Sequence, residues 1–306
     1  MSGAAGQHIS VSANQHGAWT GLQGRGTLAR ARKDRFFTWL AVGCTAVVIL
    51  PLVAILLYLV LRGASSLSLA FFTQLPRPIS QGGGGMANAI LGSGEILLIA
   101  SLLGIPLGIG AGVFLSEYGA GKPIATAVRF TADVLNGVPS IVVGIAAYVL
   151  IVLPMKTFSA LAGGIALGIM MVPTVTRTTE EMLATVPHSV REAALGLGIP
   201  KWRATLSVTL RTASAGIITG CMLAFARVAG ETAPLLFTAF GSQFWPRSVV
   251  GSTAALPLQI FNYAMSPYPA QRRLAWAGAL MLIVLIMTSV SLVRFVANRG
   301  TLRGRT

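Results

Sequence analysis

The sequence is poor in charged residues and in the residue types that build catalytic or metal centres. Charged side chains make up 10% of its 306 residues, whereas a soluble domain carries about 25%, and the mean hydropathy is +0.74. It has three histidines and two cysteines, Cys44 and Cys221, and both cysteines lie in apolar runs. These shortages argue against a soluble protein, a disulfide and a metal site.

Sequence motifs of enzymes are also missing. A nucleotide-binding P-loop, G-x-x-x-x-G-K-[ST], needs glycine amides and a lysine to hold phosphates. The single Gly-Lys pair, Gly121-Lys122, has Ser116 where the first glycine belongs and Pro123 where Ser or Thr belongs. HExxH and G-x-S-x-G are absent as well. We therefore expect no catalytic residue, no metal, no cofactor and no ATP hydrolysis by this chain itself.

The charge that is present is mostly positive. There are 23 Lys and Arg against 8 Asp and Glu, which gives a net charge of +15. In a soluble chain this excess would suggest nucleic acid as a partner. Here the basic residues flank apolar runs, so the expected partner is membrane lipid and not nucleic acid.

Six apolar stretches are each long enough to cross the hydrocarbon core, which takes about 20 residues. Five are uncharged, and the fifth in chain order is interrupted only by Arg227 and Glu231. The stretches are Phe36–Leu61, Ile96–Leu115, Val134–Leu153, Phe158–Thr176, Thr212–Phe240 and Leu274–Val293. The sequence thus predicts an all-α membrane protein with six transmembrane helices.

Basic residues set the orientation. With both termini in the cytoplasm, the inside segments hold 16 Lys and Arg and the outside segments hold 6, while Arg227 lies in the membrane. This bias agrees with the positive-inside rule, and the inverted topology would violate it. We divide the chain into a disordered basic tail at 1–35, a transmembrane domain at 36–297 and a basic cytoplasmic end at 298–306.

Glycines recur at four-residue spacing in the second and fourth spans. Gly104, Gly108 and Gly112 form one series, and Gly164 and Gly168 form another. This spacing lets helices approach closely in lipid, where packing drives association. We interpret both series as packing surfaces and not as ligand sites.

The longest predicted cytoplasmic segment, Arg177–Arg211, contains a short helix signal. Glu192-Ala193-Ala194 follows Pro187, and Gly198 and Pro200 come within two turns. Alanine and glutamate favour a helix, whereas glycine and proline end it. We expect a short helix on the cytoplasmic face, followed by a turn.

This segment resembles the motif EAA-x3-G-x9-I-x-L-P of bacterial ABC importer permeases. Glu192, Ala193, Ala194, Gly198 and Leu210 match, whereas Val208 replaces the usual Ile and Arg211 stands where proline is usual. In that family the helix docks into a cleft of a separate ATPase. The resemblance therefore implies that Glu192, Ala193, Ala194 and Gly198 couple this chain to an ATPase.

Several other segments resemble, more specifically, the A-type permeases of phosphate transport systems, and the likeness extends over residues 36–297. They are Gly83–Ile90, Thr176–Glu180, Gly198–Trp202, Ala226–Ala239 (ARVAGETAPLLFTA) and Phe261–Ala277. The resemblance implies a type I ABC importer permease fold in a bacterial inner membrane. It also implies three partners: a homologous second permease subunit, a dimer of ATP-binding subunits and an extracytoplasmic phosphate-binding protein.

The charges in the fifth stretch invite two interpretations. Arg227 and Glu231 are four residues apart, which would place them on one face of a helix, and a lone charge at mid-membrane costs about 2.5–3.5 kcal/mol. They could form a self-contained ion pair. Alternatively, Arg227 faces the translocation path and offers a fork of donors to phosphate, with Glu231 holding it in place; the resemblance favours this alternative.

Three further charges lie at ends of spans. Arg177 is either a second pathway residue or a positive-inside anchor. Glu95 and Asp133 would repel phosphate, so we expect both to have structural partners.

Two alternatives to phosphate import remain at this point. The same basic residues would serve an importer of sulfate or molybdate. A secondary transporter driven by an ion gradient belongs to another class, but such proteins often contain internal repeats, and a cytoplasmic docking helix would have no use there.

Overall fold

The computed structural model describes residues 26–78 and 84–302, and in those ranges the chain is helical, with two isolated β-bridges. Residues 1–25 of the predicted disordered tail lie outside the described residues, whereas 26–35 form the start of a helix. The helices are α1 Gly26–Ala64, α2 Leu69–Thr73, α3 Ala87–Val113, α4 Pro123–Gly137, α5 Ser140–Ala147, α6 Leu153–Met155, α7 Ala160–Ala184, α8 His188–Gly196, α9 Lys201–Ala204, α10 Leu210–Ala229, α11 Ala233–Thr238, α12 Leu256–Ala264 and α13 Pro269–Leu302.

Three π-helical turns extend or join these helices. Phe114–Tyr118 continues α3, Tyr148–Val152 joins α5 to α6, and Thr205–Thr209 joins α9 to α10. Such turns are uncommon and often occur at functional positions. Two of them, Phe114–Tyr118 and Thr205–Thr209, lie at the ends of their spans that the sequence predicts to face the cytoplasm.

Five helical stretches are long and apolar enough to cross a membrane, and a bent pair of helices makes a sixth if it counts as one span. The five are Arg32–Ala64, Ala87–Tyr118, Ala160–Ala184, Lys201–Ala229 and Pro269–Phe295. The bent pair is Pro123–Gly137 with Ser140–Met155. The prediction of an all-helical chain with about six spans is confirmed, and α13 runs on to Leu302, past the proposed domain boundary at residue 297.

The predicted third span is not one straight helix. The chain bends by 104° between Gly137 and Ser140, inside the stretch Val134–Leu153. Pro139 lacks an N–H and disfavours helical geometry at the residue before it. Val138 is accordingly extended, with φ −71° and ψ 129°.

The predicted fifth span also has different bounds. The helical stretch begins earlier, at Lys201, and ends at Ala229 instead of continuing to Phe240. Gly230 caps the end of α10, and Pro234 lies in the first turn of the separate helix α11. Proline is favoured in a first turn because it has no N–H to satisfy there.

The chain divides into two compact units, residues 1–58 and 59–306. The described part of the first unit is α1 up to Tyr58, and every side chain described there is exposed. In the second unit, α3 and α7 pack together at the centre. Ile96, Leu97, Leu167 and Met171 from these helices belong to its core.

The α3–α7 contact is made by glycines, as their spacing predicts. A Cβ on Gly104 would lie 2.7 Å from Met171 Cβ, one on Gly108 would lie 2.6 Å from Val175 Cβ, and one on Gly112 would lie 2.7 Å from Thr176 O. No real Cβ tolerates such distances, so the two backbones approach as closely as they do only because the side chains are absent. We call this contact the glycine seam.

The predicted outside segments meet at one end of the second unit. Asn88 Nδ2 donates to Ser242 O at 2.6 Å, and Ser93 Oγ accepts from the backbone N–H of Leu256 at 2.6 Å. These bonds join the start of α3 to the loop and helix that follow α11. The predicted inside segments meet at the opposite end, as described below.

The predicted outer loop that follows α11 also accepts hydrogen bonds from the first turn of α7. The N–H groups of Ala160 and Leu161 donate to the carbonyls of Gly251 and Val249, at 3.3 and 3.0 Å. Ser159 Oγ accepts from the N–H of Ala162 at 3.1 Å. The backbone donors that a helix start leaves unpaired are thus satisfied inside the chain.

Candidate functional site

Arg227 lies in the last turn of α10, where the helix carbonyls carry a partial negative charge that favours a cation. The residue is exposed. Its guanidinium forms no ion pair or side-chain hydrogen bond with any residue that the structure describes. Arg227 is therefore a charge in an apolar span whose donors are not used by the described part of the chain.

The predicted pairing of Arg227 with Glu231 is not present. Because α10 ends at Ala229, Glu231 lies in the break before α11 and the two residues do not share a helical face. Within the described ranges no Arg227 nitrogen lies within 4.0 Å of a Glu231 oxygen. Glu231 is half-buried, and its backbone N–H donates to Val228 O at 3.1 Å. The structure thus contains no self-contained ion pair between these two residues.

Arg177 lies on α7 among carboxylates. Its guanidinium nitrogens lie 3.7 Å from Asp133, 3.6 Å from Glu180 and 4.0 Å from Glu181. Glu180 also accepts a 2.7 Å hydrogen bond from Arg129 Nε on α4. This arrangement ties α4 to α7 and supports the anchor interpretation of Arg177, because three neighbouring carboxylates oppose the approach of an anion.

The two acidic residues at the ends of spans behave differently. Asp133 has a basic neighbour in Arg177, as expected. Glu95 is half-buried, and its expected structural partner is not found among the charged groups of the described residues.

The helix predicted for the cytoplasmic face forms where the sequence places it. Helix α8 begins directly after Pro187 and ends at Gly196. Gly198 has φ +76°, its N–H donates to Leu195 O at 2.9 Å, and the N–H of Ile199 donates to Ala194 O at 3.3 Å. This pair of bonds with a left-handed glycine is a Schellman motif, in which glycine carries no steric penalty.

The surface around α8 is apolar and open. Leu197 is 81% exposed, and Leu195, Trp202 and Leu206 are each about half exposed. Glu192 and Ala193 are exposed beside them, whereas Ala194 is buried against the rest of the chain. An exposed apolar patch with a polar edge is typical of a protein interface.

Sequence reasoning missed the contacts that hold α8 in place. Arg191 Nη2 lies 2.9 Å from Glu117 Oε1, in the π-helical turn that ends α3. Lys201 Nζ donates to Glu117 O at 2.6 Å and lies 4.9 Å from the Tyr118 ring centre. Glu117 and Arg191 are 74 residues apart, and no local pattern links them.

A cavity of about 280 Å³ opens at the outer end, between the loop after α11 and helix α12. Gln259 and Tyr263 line it together with other uncharged residues, and Gln259 Nε2 donates to the Tyr263 hydroxyl at 3.2 Å. Burial raises the pKa of Tyr263 above its usual range, so the phenol stays neutral at physiological pH. The cavity thus offers dipoles to a ligand and no charge.

No cluster of three or more potential metal ligands occurs in residues 26–78 and 84–302.

A family model of binding-protein-dependent transport system inner membrane components matches residues 104–300. Among curated proteins, the chain is 45% identical over 267 residues to the phosphate transport system permease protein PstA of Yersinia pestis, covering 87% of this chain and 90% of that protein. It is 48% identical over 230 residues to the protein of the same name from Xylella fastidiosa, covering 75% and 80%. The identity to PstA 1 of Mycobacterium tuberculosis is 36% over 281 residues, covering 89% and 92%.

Two solved structures share the fold. The inward-facing MetNI methionine ABC transporter matches with a TM-score of 0.54 and 20% identity, over 72% of this chain and 97% of that one. A bacterial ABC transporter that imports the acidic polysaccharide alginate matches with a TM-score of 0.54 and 13% identity, over 88% and 99%. The arrangement of helices is thus that of ABC importer permeases.

Proposed function

The chain belongs to the family of binding-protein-dependent transport system inner membrane components, and we propose that it is the permease subunit through which an ATP-driven transporter imports inorganic phosphate. It is a transport subunit of the inner membrane and not the catalytic one. Membership in the family implies an ATPase and a binding protein as partners. In our proposal these are a dimer of ATP-binding subunits, an extracytoplasmic phosphate-binding protein and a homologous second permease.

Arg227 is the observation that carries this proposal. Its planar guanidinium presents several donors in a fork that matches two oxygens of a tetrahedral oxyanion. Neither Glu231 nor another described acid neutralises it. An exposed, unpaired cation in an apolar span is costly unless it faces a wet path or a partner, and a path for anions satisfies that condition.

Glu231 and Arg177 have weaker support as pathway residues. Glu231 lies at the break after α10, close along the chain to Arg227, and we assign it to the wall of the path without a direct bond to Arg227. Arg177 faces three carboxylates, and its role in our proposal is to order the inner ends of α4 and α7.

Transport by the complete complex tests the assignment. In liposomes containing this chain, the second permease, the ATPase and the binding protein, we expect uptake of labelled phosphate that requires ATP. Uptake should persist when ionophores collapse the ion gradients. A hundredfold excess of sulfate or molybdate should leave it nearly unchanged. Uptake driven by an ion gradient without ATP would contradict the proposal, and equal uptake of sulfate would assign another substrate.

The apolar surface around α8 is proposed to dock on the ATPase, with Glu192, Ala193, Ala194 and Gly198 as the coupling residues. Gly198→Val should strain the end of α8, because a left-handed conformation costs an L residue about 1–2 kcal/mol and β-branched residues avoid it. We expect uptake to fall about tenfold, the factor that 1.4 kcal/mol represents, while the chain stays in the membrane. Glu192→Lys, which reverses an exposed charge, should also uncouple ATP hydrolysis from uptake.

A matched control separates coupling from general strain. Gly121 also has a positive φ of 72°, lies in the other inside loop and has no atom within 4 Å of its Cβ position. Gly121→Val introduces the same strain away from α8 and should leave uptake near the wild-type rate. Equal losses in the two valine variants would refute a specific role for Gly198.

A further inference from the structure

Arg191 joins α8 to the inner ends of two other helices at once. Its Nε donates to Glu117 Oε1 at 3.1 Å, at the end of α3. Nη1 donates to Val186 O at 3.0 Å and Nη2 donates to Leu183 O at 2.7 Å, at the end of α7. A guanidinium can make these bonds together because its donors are fixed in one plane.

The pair between Arg191 and Glu117 is shielded from water. The Glu117 side chain is 7% exposed and the Arg191 side chain is 19% exposed. Exposed ion pairs contribute little to stability, whereas removing one member of a buried pair leaves an uncompensated charge. This pair therefore resists separation more strongly than a surface contact would.

Lys201 adds a second bond from the other side of the turn that follows α8. Its ammonium donates to the backbone carbonyl of Glu117. Between these contacts lies a cavity of about 290 Å³, lined by Ser116, Glu117, Arg191, Lys201 and residues of the π-helical turn Thr205–Thr209. Arg191 in α8 and Lys201 in α9, on the two sides of the turn, are thus both bonded to Glu117.

The helices that receive these bonds are themselves locked together by the glycine seam. Since α3 and α7 touch through their backbones, they have little freedom to slide past each other. Helix α8 continues in the other direction, through α9 and a π-helical turn, into α10, which carries Arg227 near its far end. We call the contact between Arg191 and Glu117 the clamp. It lies between the rigid α3–α7 pair and the helix that bears Arg227.

We propose that Arg191 and Glu117 are positioning residues that fasten α8 to the α3–α7 pair, so that a displacement imposed on α8 moves this pair relative to α10. Without the clamp, α8 moves on its own and the displacement is not transmitted to the path at Arg227. The proposal rests on the proposed function, because the displacement comes from the ATPase. It assigns to Arg191 and Glu117 a role in transmission, distinct from the docking role of Glu192 and Gly198.

The test measures the phosphate transported per ATP hydrolysed in liposomes with the complete complex. In Arg191→Gln and in Glu117→Gln this ratio should fall about tenfold, the scale expected for losing a hydrogen bond between charged groups. ATP hydrolysis and the yield of assembled complex should stay near the wild-type values. Arg191→Lys, which keeps the charge and loses the fork, should give an intermediate ratio.

A double-mutant cycle shows whether the two residues act as a unit. The double variant of Arg191→Gln and Glu117→Gln should lose no more of the ratio than Arg191→Gln alone. Arg211→Gln removes the same charge from an exposed residue of the same cytoplasmic segment, and we expect the wild-type ratio there. Combining Arg211→Gln with Glu117→Gln should therefore give the same ratio of phosphate to ATP as Glu117→Gln alone.

Three results would overturn the proposal. An unchanged ratio in both single variants would show that the clamp transmits nothing. Losses that simply add in the double variant would show that the residues act separately. Failure of both variants to assemble would show a role in folding only. None of these resembles a failure of the proposed function, in which the wild-type complex itself would not transport phosphate.

Discussion

Arg227→Gln is expected to reduce phosphate uptake by about a hundredfold or more while the complex still assembles. A hydrogen bond to a charged group contributes about 1.5–3 kcal/mol, and the guanidinium fork offers two such bonds to phosphate. Assembly should persist because the Arg227 side chain is exposed and forms no ion pair or hydrogen bond with another described residue. Initial uptake of labelled phosphate in cells without other phosphate importers measures the effect, with complex yield measured in parallel.

Three variants make the experiment decisive. Arg227→Lys should retain slight uptake, because it keeps the charge without the planar fork. Arg247→Gln neutralises an exposed arginine of the outer loop and should transport normally. Combining Arg227→Gln with Glu231→Gln should give no recovery, since the two side chains are not paired. Clear recovery in that combination would mean that the charges balance each other and that phosphate does not need Arg227.

Gly108→Leu is expected to prevent formation of the native chain. Its Cβ alone would lie 2.6 Å from Val175 Cβ and 3.1 Å from Val172 O, and three more carbons would follow. Overpacking a filled core costs about 1–3 kcal/mol and sometimes more, and here a helix would have to move. We expect the yield of folded protein after detergent extraction to fall below about a tenth of wild type.

Gly110 provides the control on the same helix. It lies two residues away on another face, and no atom lies within 4 Å of its Cβ position. Gly110→Leu should therefore fold with nearly the wild-type yield. Gly108→Ala should fall between these two, with a lowered midpoint of thermal unfolding. Equal yields for Gly108→Leu and Gly110→Leu would contradict the glycine seam.

Much of the fold was accessible from sequence because the bilayer imposes simple requirements. Apolar length predicts spans, and the distribution of Arg and Lys predicts their direction. The four-residue spacing of Gly104, Gly108 and Gly112 predicted a close helix contact, which the structure confirms. Gly198 and Pro200 predicted the end of α8 because local backbone geometry determines where a helix stops.

The breaks in the third and fifth spans were not accessible in the same way. Pro106 and Pro173 lie inside continuous helices, whereas Pro139 lies at a 104° bend. A proline in a span can be accommodated when neighbouring groups satisfy the freed carbonyls, so its effect depends on tertiary packing. The assumption of a helix through Arg227 and Glu231 failed for a related reason, since Gly230 ends α10 between them.

Tertiary contacts between distant charges were beyond sequence reasoning altogether. Arg191 was counted as one of several inside charges, and Glu117 follows directly on an uncharged run. Their distance of 2.9 Å depends on how α3, α7 and α8 meet. Likewise, the three carboxylates around Arg177 come from α4 and α7, and sequence could not choose between its two possible roles.

The closed start of α7 has a kinetic consequence for an anion carrier. A helix N-terminus with free N–H groups is a natural trap for phosphate, and in α7 those groups are taken by Gly251, Val249 and Ser159. An anion crosses fastest when each binding site along its path is weak, because a deep energy well lengthens the time for which the ion stays bound. Because the first N–H groups of α7 are paired within the chain, they offer an anion no such well at this end of the second unit.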